Sequence, residues 1–324
     1  MSKFKVLDFD YGCGGFTKGL EDSNFFEVIY NGFINEKNSL CYNNIHKNSF
    51  SREDLMEKDV DLAVFTPDLG QNLFGIGSSN FFQNQLDNCT ALVSLYDFDN
   101  VIFITQRDAI PLLQYSNKVL LTSDGVPTKD IICCRLLNSG YNVFNFVLDG
   151  AGFGLAQHRF YNVYWASKVV DESIYIKEGF GIHKRPYRTV QNVIGDIKDD
   201  SDLSWHNPDY KREYNCSLIE PGSNANQSEE LNLRTGYIRL EADKMAPSLL
   251  SDFYNISSKG PSINPWYNRP LTIREGARLF GLTDDFTWDF KLHRKEVAMM
   301  IYESFPPVVS QLLAHKIKKV INGE

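Results

Sequence analysis

The chain has 324 residues, 43% of them hydrophobic and 13% aromatic, and a formal net charge of -8. That length and apolar content support one large α/β domain plus a smaller second one, and exclude disorder over long stretches. The acidic balance argues against nonspecific polyanion binding while leaving room for a locally basic cleft.

The amino-terminal MSKFKVLDFDYG runs directly into a strand, with no signal-peptide pattern. No apolar run reaches about 18 residues, so no membrane span is expected. Six cysteines (Cys13, Cys41, Cys89, Cys133, Cys134 and Cys216) form no C-x-x-C pair and have no histidine at zinc spacing. They read as reduced thiols of an intracellular protein without a structural metal, cytoplasmic, or nuclear if the source is eukaryotic.

Residues 4–9, FKVLDF, predict a first strand, and DYGCGGFTKGLE after them a glycine-rich turn and a helix. FEVIYNGFI (26–34) predicts a second strand, NEKNSLCYNNIH a helix, DVDLAVFTP (59–67) a third strand and NVIFIT (100–105) a fourth. Residues 128–150 read as a helix stopped near Gly140 and then a strand, and YNVYWASK (161–168) as a further strand. Strands alternating with helical stretches argue for a doubly wound, mostly parallel sheet with helices on both faces.

Periodicity weakens over about 170–265, which is polar and rich in turn formers. The expected organisation is a main domain of residues 1–170 and 266–324 and a small domain of 171–265. In TIREGARLFG, Thr272 is a predicted cap, Glu275 follows three residues later, and Gly281 stands at the stop. PPVVSQLLAHKIKKVING predicts a last helix ending in basic residues and Gly323, as the macrodipole favours.

Four motifs carry chemical information. LDFDYGCGGFTKGLE (7–21) combines a turn that lets a ligand approach the backbone with a helix start suited to a carboxylate or phosphate. A tight turn that simply needs glycine is the alternative. The others are Gln157-x-Arg159, the stretch RPLTIREGARLFGLTDDFTW (269–288), and FPPVV (305–309).

In this order the four resemble the DNA (cytosine-5) methyltransferase family over roughly residues 4–320. Gly12, Gly14, Gly15 and Phe16 match its S-adenosylmethionine loop, and Gln157 and Arg159 its Gln-Arg segment. Arg269, Leu271, Thr272, Arg274, Glu275, Ala277, Arg278, Leu279, Gly281 and Asp284 match its longest motif, and Pro306 and Pro307 its last. The resemblance implies a class I S-adenosylmethionine-dependent, Rossmann-like fold with a target-recognition domain in the middle segment. It gives cofactor-binding roles to Asp8, Gly12, Gly14, Gly15 and Phe16, and nucleic-acid contacts to Gln157 and Arg159. Arg185, Arg188, Lys211 and Arg212 are further candidates for phosphate, with a solvated face as the alternative.

The family reaction needs a cysteine thiolate to attack a flipped cytosine and a glutamic acid at the ring edge. The resemblance puts Asp68, after Pro67, at the nucleophile position, and Thr105, Gln106 and Arg107 where Glu-Asn-Val would end the fourth strand. A carboxylate is a poor nucleophile towards a pyrimidine, and neither Thr nor Gln supplies a proton at neutral pH. Cys89 is the nearest downstream thiol but sits outside the Pro67 anchor. The second arginine of the Gln-Arg segment becomes Tyr161.

Positions for the adenine and ribose of the cofactor fall on Asp10 and Phe33, with Glu36, Glu53 or Asp54 as substitutes, and the Gly-Asn before the last helix becomes Tyr302-Glu303. Two readings follow. One is an inactive homologue with no cofactor or weakly bound S-adenosylmethionine, acting as a subunit of an active DNA methyltransferase or binding double-stranded DNA. The other is an active nucleic-acid methyltransferase with non-standard chemistry.

Overall fold

The computed structural model describes residues 2–10, 12–31, 59–66, 79–106, 128–169, 186–197, 221–222, 238–254, 261–288 and 292–323. In chain order the strands are β1 (Phe4–Asp10), β2 (Phe26–Asn31), β3 (Leu62–Thr66), β4 (Asn100–Gln106), β5 (Asn142–Asp149), β6 (Phe160–Ser167), β7 (Ile238–Arg239) and β8 (Pro261–Ile263). The helices are α1 (Gly15–Asp22), α2 (Ser79–Tyr96), α3 (Thr128–Asn138), α4 (Val190–Ile194), α5 (Ile273–Leu279), α6 (Arg294–Glu303) and α7 (Pro307–Ile321).

The main sheet has the order β2-β1-β3-β4-β6-β5. β1 is parallel to β2 and β3, and β3 is parallel to β4. β6 is antiparallel to both of its neighbours, so it alone runs against the other strands. The doubly wound, mostly parallel sheet read from the sequence is therefore present. β3 is buried along its whole length, as its unbroken apolar run demands of a strand covered on both faces.

Period-two alternation divides the strand residues between two cores. Val6, Val64, Ile102, Ile104, Val163 and Trp165 meet Phe16 and Leu20 of α1 and Leu313 and Ile317 of α7. On the other face Leu7, Phe9, Ala63, Phe65, Val101 and Phe103 meet Leu86 and Val93 of α2 and Ile132 and Leu136 of α3. Phe9, Phe65 and Phe103 stack across β1, β3 and β4 with centroids 4.7 and 4.9 Å apart.

A third core joins Val190, Val193 and Ile194 of α4 and Leu240, Leu249 and Phe253 to Leu271, Ile273, Ala277, Val297 and Ile301. Described residues on both sides of position 265 thus enter one cluster. The stretch Arg294–Ile321 is long and apolar enough to cross a membrane by composition alone, but 72% of its apolar window is buried inside the protein. It is two core helices, broken where Ser304 and Pro306 leave helical geometry.

The predicted helix at 35–46 and residues 32–34 of the second strand lie outside the described residues. Helices α2, α4 and α6 and the short strands β7 and β8 are additions to the sequence reading. In α2, Leu86, Cys89 and Val93 recur at helical spacing among polar neighbours and fill the second core.

Candidate functional site

β1 and β3 are paired as far as Asp10 and Thr66, and β3 and β4 as far as Phe65 and Phe103. Their carboxyl ends therefore emerge along one sheet edge, the edge where open α/β sheets place their sites. Thr66 is buried, and its Oγ1 donates to the Phe9 carbonyl at 3.4 Å. Thr105 is 4% exposed and lies opposite Asn162 of β6, while Gln106 lies opposite Tyr161. Asp68, two positions past Thr66, lies outside the described residues.

Cys89 does not replace a nucleophile. It faces the core from α2, and burial pushes its thiol up to about 12, which leaves no thiolate at neutral pH.

The glycine loop sits against the start of α7. Gly14 caps α1 in the left-handed conformation, with φ of 80°, and no side chain caps that helix. Asp8, fully buried, accepts a hydrogen bond from Thr17 Oγ1. A Cβ on Gly12 would lie 2.3 Å from Ser304 Oγ, and one on Gly15 would lie 2.0 Å from the Phe305 carbonyl oxygen. Cys13 N donates to Ser304 Oγ, Trp288 Nε1 contacts Cys13 Sγ at 3.4 Å, and the Phe16 and Phe305 rings are 5.2 Å apart.

Gly12 and Gly15 are therefore demanded by the chain's own close packing, whatever else the loop holds. The turn and the uncapped start of α1 fit the charged end of S-adenosylmethionine. The Asp10 side chain, Phe33, Glu36, Glu53 and Asp54 lie outside the described residues. Ser304, which seats the loop, has no local sequence signal, because its partner is 291 residues away.

Gln157 and Arg159 are placed differently from the expectation that they touch nucleic acid. Both are fully buried. Gln157 Nε2 donates to the Leu279 carbonyl at 2.8 Å, and its Oε1 accepts from Leu249 N at 3.1 Å. Arg159 Nη2 donates to the Tyr302 carbonyl at 2.5 Å, in the last turn of α6, where the helix dipole favours a cation. Its guanidinium lies 4.5 Å from the Tyr302 ring and 4.7 Å from the Phe280 ring, and its Nε donates to Tyr161 Oη at 3.0 Å. These side chains tie the third core to the sheet. Tyr161, where the family has a second arginine, is itself buried against Phe305 at 4.7 Å.

The longest motif is a buried bracket. Thr272 and Glu275 form a capping box at the start of α5, and Gly281 closes that helix with φ of 86°. Arg269 meets Glu275 through two bonds, Nη1 to Oε2 at 2.9 Å and Nη2 to Oε1 at 3.0 Å. Asn264 Nδ2 and Thr272 N donate to the same carboxylate at 2.9 and 2.8 Å. Arg274 packs over the Trp288 ring at 4.9 Å and donates to the Phe286 carbonyl at 2.9 Å.

Arg278 binds Asp284 in bidentate fashion at 2.8 and 2.6 Å and reaches Asp196 at 2.6 Å. The hydrogen bonds and charge of Arg278 hold the Asp284 carboxyl below its usual range, and those of Asp284 and Asp196 raise Arg278. These residues border a cleft of about 610 Å³ between α4, α5 and the start of α7. Arg188 lines its rim; Arg185 lies outside the described residues.

The sequence pattern of the C-5 cytosine-specific DNA methylase family matches residues 117–319, more than half of the chain. The chain belongs to that family. It is 24% identical over 345 residues to a protein of Methanocaldococcus jannaschii named as a type II methyltransferase, covering 97% of this chain and 99% of that one. Among solved structures, a DNA modification methyltransferase encoded within an E. coli prophage matches with a TM-score of 0.71 at 15% identity, over 99% of this chain and 100% of the other. The S. pombe Dnmt2 methyltransferase matches with a TM-score of 0.64 at 14% identity, over 98% and 99%. At these identities the solved structures establish a shared fold.

Proposed function

We propose that this C-5 methylase homologue does not itself transfer a methyl group to cytosine, and instead acts as a regulatory or partner subunit of an active DNA methyltransferase or as a DNA-binding pseudo-enzyme. The observation that carries the proposal is the end of β4. Thr105 and Gln106 stand there in register with Asn162 and Tyr161. Neither can protonate a cytosine ring, and the family resemblance puts Asp68 where the attacking thiol would stand. Without attack and protonation the ring carbon is not activated.

Asp8, Gly12, Gly14, Gly15 and Phe16 would hold S-adenosylmethionine weakly or not at all in this reading. When bound, that group supplies an electrophilic methyl. The left-handed turn at Gly14 and the uncapped start of α1 favour a second reading, in which the cofactor binds and another nucleic-acid atom is methylated.

The test combines three measurements on the full chain. With labelled S-adenosylmethionine and host DNA, the wild type is expected to give no 5-methylcytosine, and transfer by it would overturn the proposal. Calorimetric titration should show cofactor binding weaker than micromolar; tighter binding with transfer elsewhere supports the second reading. Affinity capture from the host is expected to recover an intact methyltransferase, and recovery of DNA alone, or nothing, counts against the subunit role.

A further inference from the structure

At the edge of the sheet opposite the glycine loop, where β1 and β3 begin, lies a second cavity of about 600 Å³. It is enclosed by the amino-terminal segment, the turn before β2 and the last turn of α7. Backbone hydrogen bonds fix its walls. Phe4 N donates to the Phe25 carbonyl at 2.9 Å, and Asn24 makes the turn between α1 and β2 in the left-handed conformation, with φ of 63°. Asp61 N donates to the Lys5 carbonyl at 3.0 Å, and Asp61 Oδ2 accepts from Lys5 N at 2.7 Å. The Asp61 carbonyl accepts from Asn100 Nδ2 at 3.1 Å. A cavity shaped in advance loses little free energy to ordering when a ligand enters.

Two cations reach this cavity from different elements, Lys3 from ahead of β1 and Lys318 from α7. Among the described residues, neither ammonium meets a carboxylate within ion-pair distance. The helix dipole accounts for a lysine in the last turn of α7. It does not account for Lys3, which comes from the strand side. Lys318 Nζ rests 4.5 Å from the centroid of the Phe25 ring, which holds the ammonium at the cavity wall. The half-buried Phe4 and Phe25 supply apolar surface, and Asp61 and Asn24 supply hydrogen-bonding groups.

We propose that this cavity binds a nucleoside monophosphate. The phosphate takes both ammonium groups as charge-assisted donors. The planar base lies against the phenylalanine surface. Asp61 keeps one oxygen on Lys5 N and has the other for a ribose hydroxyl, the role a carboxylate plays in nucleotide-binding α/β folds. The volume falls within the range of small-ligand sites. Phosphate alone would leave the apolar wall bare, and an uncharged ring would leave both lysines without a counter-charge. A ligand that joins the two uses every wall. The site stands off from the glycine loop by the length of β1, about 20 Å, and is independent of methyl transfer.

Isothermal titration calorimetry on the full chain tests the site with uridine monophosphate, uridine and inorganic phosphate. The walls carry no group that selects one base, and a pyrimidine keeps the adenine position at the carboxyl edge out of the measurement. Uridine monophosphate should bind with a Kd on the order of tens of micromolar, and uridine or phosphate alone at least about ten-fold more weakly. Lys3→Ala and Lys318→Ala should each weaken the monophosphate about ten-fold and leave uridine unchanged. Lys319→Ala, next along α7 but outside the cavity wall, should keep the wild-type affinity.

Absence of saturable binding at millimolar uridine monophosphate overturns the site. Wild-type affinity in both lysine variants overturns it too, because the nucleotide would then sit elsewhere. Equal binding of phosphate and monophosphate would leave only an anion contact and would sink the nucleotide assignment.

Discussion

The 269–284 segment and the carboxyl ends of β3 and β4 differ in what holds them. In the first, Glu275 receives Arg269, Asn264 Nδ2 and Thr272 N inside the protein. In the second, the strands end in Thr66, Thr105 and Gln106, all uncharged. A buried carboxylate is costly unless every partner is present, so the bracket resists change as a unit. Thr66 and Thr105 are buried as well, but an uncharged hydroxyl asks for one hydrogen-bond partner rather than a full set. Residues that hold the fold do so for structural reasons, and their presence does not report activity.

The comparison breaks most visibly at Glu275. Glu275→Ala removes the carboxylate that neutralises the buried Arg269 guanidinium and should cost about 3–5 kcal/mol, read as a shift in the urea midpoint. A change under about 1 kcal/mol would mean that the bracket does not carry the segment. Gly15→Ala comes next. The added methyl meets a backbone carbonyl, which cannot swing aside, and a loss of about 1–3 kcal/mol is expected whether or not cofactor is present. If the variant melts like the wild type and loses only cofactor affinity, the glycine is there for the ligand.

Asp284→Asn tests the exposed end of the same motif. Asp284 is 55% exposed, so at neutral pH its loss should cost under about 1 kcal/mol and less in high salt. Its folded carboxyl is held down by Arg278, so its contribution is present above the unfolded value near 4 and lost as pH falls through the folded one. The variant should therefore show a shallower loss of stability on acidification below about pH 4, measured by thermal melts. The smallest effect belongs to Thr105→Val, expected within about 1 kcal/mol of the wild type and without effect on DNA methylation. A loss of methyl transfer in that variant would place Thr105 in working chemistry.

Much of the fold was legible because its signals are local. FKVLDF, LAVFT and NVIFIT are apolar runs of strand length, Thr272 and Glu275 spell a capping box, and Gly281 stops the helix by adopting a positive φ. The site was legible only in part. Its positions along the chain follow from motif order, but motif order does not say which way a side chain points.

The sequence by itself determined the succession of strands and helices, the capping of α5 and the neutral residues at the end of β4, since each depends on neighbours within a few positions. Only the tertiary structure decided that Gln157 and Arg159 turn inward and His158 outward, and that Gly12 and Gly15 are bare because Ser304 and Phe305 press against them. Those facts depend on partners up to 292 residues away, and contacts at that range leave no periodicity in a single chain.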